Sequence, residues 1–132
     1  MRSVDGTKRP VQSYRDLDVW VRAIDLSKKI YRLTRAFPRE EIFGLTSQIR
    51  RAAVSVPANI AEGSGRRGTK EFLYHAGVAR GSLYELVSLI DIALDQAYLT
   101  AEDAAILNDE AGHVGRLISG LIRSLERSQT AP

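Results

Sequence analysis

The chain has 132 residues, 44% of them hydrophobic and 27% charged, and 19 Lys plus Arg against 16 Asp plus Glu leave a net charge of +3. That length suits one domain with one core, and the composition excludes a disordered or fibrous chain. With no cysteine present, disulfides, Cys-based zinc sites and thiol catalysis are excluded together.

Residues 1–14 lack periodicity and read as a mobile N-terminal arm. They are polar and basic with no apolar stretch of the secretory kind, and no run in the chain approaches the ~20 apolar residues of a membrane span. The expected compartment is cytoplasmic, with no membrane partner. Asp16 is the expected cap of a first helix running from Leu17 to about Ala36. Leu17, Trp20, Ile24, Ile30 and Tyr31 make its apolar row, with a second row at Val19, Ala23 and Leu26. Pro38 stops it, because the residue before a proline is pushed out of the helical region.

A second helix is expected from Leu45. It places Leu45, Ile49, Ala52, Ala53, Val56 and Ile60 on one face, and Pro57 should kink its last turns. Gly63, Gly65 and Gly68 are expected to form a loop. Thr69 is the cap candidate of a third helix. Its seam of Phe72, Ala76, Ala79, Leu83, Leu86, Ile90, Ala93 and Ala97 alternates steps of four and three, a heptad pattern. A fourth helix follows Thr100, with Asp103 in the capping-box position and a seam of Ala104, Leu107, Ala111, Val114, Ile118, Leu121 and Leu125. Short connections make neighbours antiparallel, so the fold is an all-α, up-down-up-down four-helix bundle over residues 15–128, with a tail at 129–132.

Two further stripes lie outside these seams. One holds Ala105, Asn108, Gly112, Gly115, Ser119 and Ile122; the other holds Tyr74, Gly77, Gly81, Tyr84 and Ser88. Interior glycine costs a helix ~1 kcal/mol relative to alanine, so a packing reason is expected. Either the glycines let the third and fourth helices approach within one subunit, or the stripes, together with Arg50 and Arg51, contact another copy.

Charge is unevenly spread. Residues 85–110 hold seven acidic residues and no Lys or Arg. Arg9, Arg15, Arg66, Arg67, Lys70, Arg123 and Arg127 are expected at the opposite end. They are the candidate phosphate contacts for RNA or DNA, helped by free amides at the start of the third helix. The alternatives are an ordinary solvated end, or a scaffold whose partner is another protein.

Several motifs resemble catalytic ones without their context. Gly63 to Gly68 matches a dinucleotide fingerprint, but it follows a helix and not a strand. Lys70 comes after Thr69, the reverse of a P-loop. The Glu110–His113 pair lacks the second copy and inward glutamates of a di-iron bundle. His75 and His113 read as surface residues and Trp20 as core. No catalytic residue, metal or cofactor is expected.

The run from Gly44 through Thr46, Arg50, Arg51, Pro57, Asn59 and Glu62 to Gly63 resembles the signature of the four-helix bundle proteins encoded in 23S rRNA intervening sequences. Tyr14 to Trp20 and Ala79 to Leu86 fit the same family. The resemblance implies an antiparallel bundle that assembles into a homopentamer, with no established enzymatic activity. A more distant kinship, to the accessory variability proteins of diversity-generating retroelements, implies nucleic-acid binding as an option. Pro57, Asn59, Glu62 and Gly63 are expected to be structural, Asn59 and Glu62 hydrogen-bonding backbone freed by Pro57 and the glycine loop.

Overall fold

The computed structural model describes residues 13–66 and 68–130. The arm before Ser13, Arg9, Arg67 and the last two residues of the expected tail lie outside the described residues. Four helices follow in order: α1 (Asp18–Thr34), α2 (Leu45–Ser64), α3 (Thr69–Asp95) and α4 (Ala101–Thr130), with 3-10 turns at Tyr14–Asp16 and Arg39–Glu41. Each helix packs on its two neighbours, α2 on α3 most extensively, and the backbones of diagonal helices stay apart. This is an antiparallel four-helix bundle, without strands among the described residues. Among them no helix is long and apolar enough to cross a membrane.

Apolar periodicity fixes the core, with adjustments at helix ends. In α1 the buried row is Val19, Ala23, Leu26 and Ile30; Leu17 and Trp20 pack half-buried beside it, and Tyr31 is 40% exposed. Apart from Ile30, which is at the centre, the expected leading row is thus the flank of the core, and the second row is its centre. Asp16 does not cap α1. Its Oδ2 accepts the Ser13 amide at 3.2 Å, closing the 3-10 turn instead. α1 stops at Thr34, whose hydroxyl donates back to the Ile30 carbonyl at 2.7 Å.

In α2, Ile49, Ala52, Ala53, Val56 and Ile60 are all buried. Pro57 lies inside the helix, so the carbonyl four residues earlier, on Ala53, has lost its helical donor. The buried Ser27 hydroxyl of α1 lies 2.9 Å from that oxygen and 3.0 Å from the Ala23 carbonyl. Its single proton can serve the orphaned acceptor across the helix pair. Gly63 belongs to the last turn of α2 and not to a loop. A Cβ there would lie 2.8 Å from both His75 Cβ and Phe72 Cδ1, so glycine at this position lets α3 pass close by.

Gly68, at φ 89°, is the cap residue of α3, and Thr69 is its first helical residue. The helix ends at Asp95, which removes Ala97 from the seam. Ala97 takes φ 63° in the turn to α4 and is exposed. In α4 the Thr100 hydroxyl accepts the Asp103 amide at 3.0 Å, the expected N-terminal contact. The core then drifts off the heptad row: Ile118 and Ile122 are buried while Leu121 is half-buried. A straight helix turns about 20° per heptad relative to a 3.5 repeat, which brings Ile122 inward from the outer stripe. Because α4 continues to Thr130, residues 129–130 are helical and not a separate tail.

Candidate interaction faces

The helix order around the bundle sets α1–α2 opposite α3–α4. On the α1–α2 side, the turn before α2 ends in Ile42 and Phe43, which are 49% and 95% exposed. Tyr31 and Val54 add exposed apolar surface to the same concavity of about 500 Å³. Arg50 lies across it. Its Nε donates to Thr34 Oγ1 at 2.8 Å, and its guanidinium stacks 4.7 Å from the centre of the Tyr31 ring, a cation–π arrangement. The turn that carries Phe43 is braced from behind. The Glu41 carboxylate accepts the Leu45 amide at 3.0 Å and the Tyr98 hydroxyl at 2.9 Å. The Leu45 amide above all, then the Tyr98 hydroxyl, holds the Glu41 pKa below its ordinary value. The same contact with Glu41 raises the Tyr98 pKa. Gly44 leaves the room this needs, since a Cβ there would sit 2.7 Å from Glu41 Oε1.

On the opposite side, a groove of about 810 Å³ runs between α3 and α4. Tyr84, Val87, Asp91, Asn108, Gly112 and Gly115 line it. Asn108 Oδ1 is buried there without a hydrogen-bond partner. The glycines of the two stripes differ in their surroundings. A Cβ on Gly115 would lie 3.3 Å from Leu83 Cδ2, so this glycine brings the two helices together within one copy. Gly77 and Gly81 have nothing within 4 Å of that position, and Gly112 meets only the Arg116 guanidinium at 3.5 Å. Those three have no packing role inside the subunit. Tyr74 and Tyr84 stand 67% and 62% exposed; Ser119 lies in the groove and Arg51 borders the α1–α2 concavity.

Arg15, Arg66, Lys70, Arg123 and Arg127 are exposed and share the end where α2 meets α3 and α4 finishes. Acidic residues accompany them: Asp16, Asp18, Glu62, Glu71 and Glu126. Arg66 pairs with Glu62, which lowers the carboxyl pKa through the Arg66 hydrogen bond and charge. Polarisation along the axis is therefore weaker than the sequence suggests. At the opposite end, the last turn of α1 and the turn after it bring Arg32, Arg35 and Arg39 beside the acidic α3–α4 hairpin. There the charge difference runs between faces, net basic on α1–α2 even with Glu40 and Glu41, and acidic on α3–α4.

Among the described residues, the Ala53 carbonyl freed by Pro57 is met by Ser27 and not by Asn59 or Glu62. Asn59 Nδ2 does donate to backbone, at 2.9 Å from the Ser55 carbonyl, and also lies 3.1 Å from Ser55 Oγ. Its Oδ1 meets His75 Nδ1 at 3.1 Å, and Ser55 Oγ reaches Ser82 Oγ at 2.7 Å. The chain Ser82–Ser55–Asn59–His75 thus stitches α2 to α3, and His75 is a half-buried partner in it and not a surface residue. Its sequence signal is a set of polar residues bordering core positions of both helices. Glu62 bonds no freed backbone; its partner is Arg66. Among the described residues, no group of three or more His, Asp or Glu could hold a metal.

Residues 15–120 match the family described as 23S rRNA-intervening sequence proteins. Among solved structures, the chain is similar to a protein of unknown function from the S23 ribosomal protein family of Bacteroides thetaiotaomicron. The two share 21% identity and a TM-score of 0.74, over 80% of this chain and 95% of that one, a likeness of fold. No curated protein matches.

Proposed function

Because the chain belongs to the 23S rRNA-intervening sequence protein family, we propose a role that its surfaces support: it works without catalysis, as a bundle that assembles with copies of itself. The observation that carries this reading is Phe43, 95% exposed among Ile42, Tyr31 and Val54. A contiguous apolar patch of large side chains in water is the mark of an association surface. The open glycine positions Gly77, Gly81 and Gly112 point the same way, since they weaken helices without serving packing inside one subunit. A pentamer is the assembly that the family resemblance implies. Native mass spectrometry tests the reading: an oligomer at micromolar concentration supports it, and a monomer alone sinks it.

A second activity, contact with RNA or DNA phosphates, is favoured by the start of α3. Gly68 offers no side-chain cap, so amides of the first turn are open to an anion, between Arg66 and Lys70. Such binding would read charge and not sequence. Affinity should fall steeply with salt, and Arg66→Ala with Lys70→Ala should weaken binding to unrelated sequences alike. Electrophoretic shifts that ignore both salt and the double substitution would exclude this end as the contact, leaving a scaffold for a protein partner.

A further inference from the structure

The two opposite faces are complementary, and three observations align them. The first is charge. Arg50 lies in the apolar α1–α2 concavity, held by Thr34 and Tyr31, and has no carboxylate partner among the described residues. Asp91 lines the α3–α4 groove and is likewise without an ion-pair partner among them; the cations of that groove, Arg116 and Arg123, lie farther along α4, about 22 and 33 Å from the end at which Asp91 sits. The second is height. α2 begins and α3 ends at the same end of the bundle. At 1.5 Å per residue, Arg50 lies about 8 Å and Asp91 about 6 Å from that end. On the same scale Val54 sits about 14 Å up and Val87 about 12 Å, while Phe43 and Leu94 are both close to the end itself. The third is chemistry. Phe43, Tyr31 and Val54 are exposed on one face; Leu94 is 38% and Tyr84 62% exposed on the other.

We propose that the α1–α2 face of one copy docks side by side into the α3–α4 groove of a second copy, with bundle ends level and Arg50 of one facing Asp91 of the other. This rests on the self-assembly reading and adds which surfaces meet and in what orientation. A face-to-face pair of α1–α2 surfaces would instead set Arg50 of each copy toward like charge and leave both grooves empty. Level ends are also what rotation about an axis parallel to the bundles produces, so the contact can repeat from copy to copy.

Native mass spectrometry and light scattering on the full chain test it with four variants. Arg50→Glu and Asp91→Arg each place like charges across the contact, and each should weaken association by about tenfold or more. The double variant Arg50→Glu with Asp91→Arg restores opposite charge and should recover most of the loss. Phe43→Ser, at a side chain almost wholly in solvent, should dissociate the assembly while leaving the helical circular-dichroism spectrum and the denaturation midpoint of the monomer unchanged. If the parent protein assembles and neither Asp91→Arg nor Phe43→Ser changes its mass, the docking is overturned while self-assembly stands. Losses in the single charge variants without recovery in the double also overturn the pairing. A monomeric parent overturns both readings.

Discussion

Single atoms decide several features of this molecule. At Gly63 a methyl group would lie 2.8 Å from two atoms of α3, one of them the His75 Cβ, which cannot rotate away. Gly63→Ala should therefore destabilise the fold by about 1–3 kcal/mol, the usual cost of overpacking, although alanine is the better helix former. Urea denaturation would check it, and a gain in stability would mean that α2 and α3 separate freely. Glu41 gives a pH prediction. Its pKa lies below the ordinary 4.5 because the ionised form accepts two hydrogen bonds. A lowered folded value means the contribution is complete above the ordinary pKa and is lost as pH falls through the folded one. Tyr98 is the reverse case: with its pKa raised above 10.0, its contribution is lost as alkaline pH passes through the folded value. Glu41→Gln should thus lower the urea midpoint at pH 7 and flatten its decline below about pH 4.5. Parallel parent and variant curves across that range would contradict this.

Between elements, Ser27 of α1 is tied to Pro57 of α2 through the Ala53 carbonyl. The proline deletes a donor in α2, and α1 supplies one from its own buried row. Ser27→Ala should cost about 1–3 kcal/mol, the penalty for an unsatisfied buried carbonyl. In a Pro57→Ala background the amide returns and the cost should shrink, a coupling that a double-mutant cycle measures. Equal costs in the two backgrounds would show that the hydroxyl serves Ala23 alone. The helices themselves were legible in the sequence, because apolar periodicity reports burial directly. Ile49 to Ile60 was read correctly for that reason. Positions that depend on partners were not legible. Ser27 looks like an ordinary serine, Gly63 like a loop residue, and His75 like surface, until the neighbouring helix is placed. The heptad reading of α4 failed at Ile122 because the helix keeps its own period over five turns. Arg32, Arg35 and Arg39, which reduce the axial polarity, lie far from the acidic hairpin in sequence and come beside it only once the bundle is folded.

For the molecule as a whole, burial is concentrated along the bundle axis and thins toward one end of α4, where residues 123, 124 and 126–129 are exposed. Amide exchange should be slowest in the closely packed α2–α3 pair and fastest in those final turns of α4; uniform protection along α4 would indicate that another copy covers them. The unlike character of the two faces has one more consequence. In the proposed docking, a pair of copies joined by Arg50 and Asp91 would still leave one bare patch and one bare groove, so growth would end only when the last copy meets the first. Copy number is then a property of the angle between the two faces: a step of about 72° closes five. A substitution that tilts α1–α2 against α3–α4 by a few degrees, without touching either contact, would change how many subunits complete the circle.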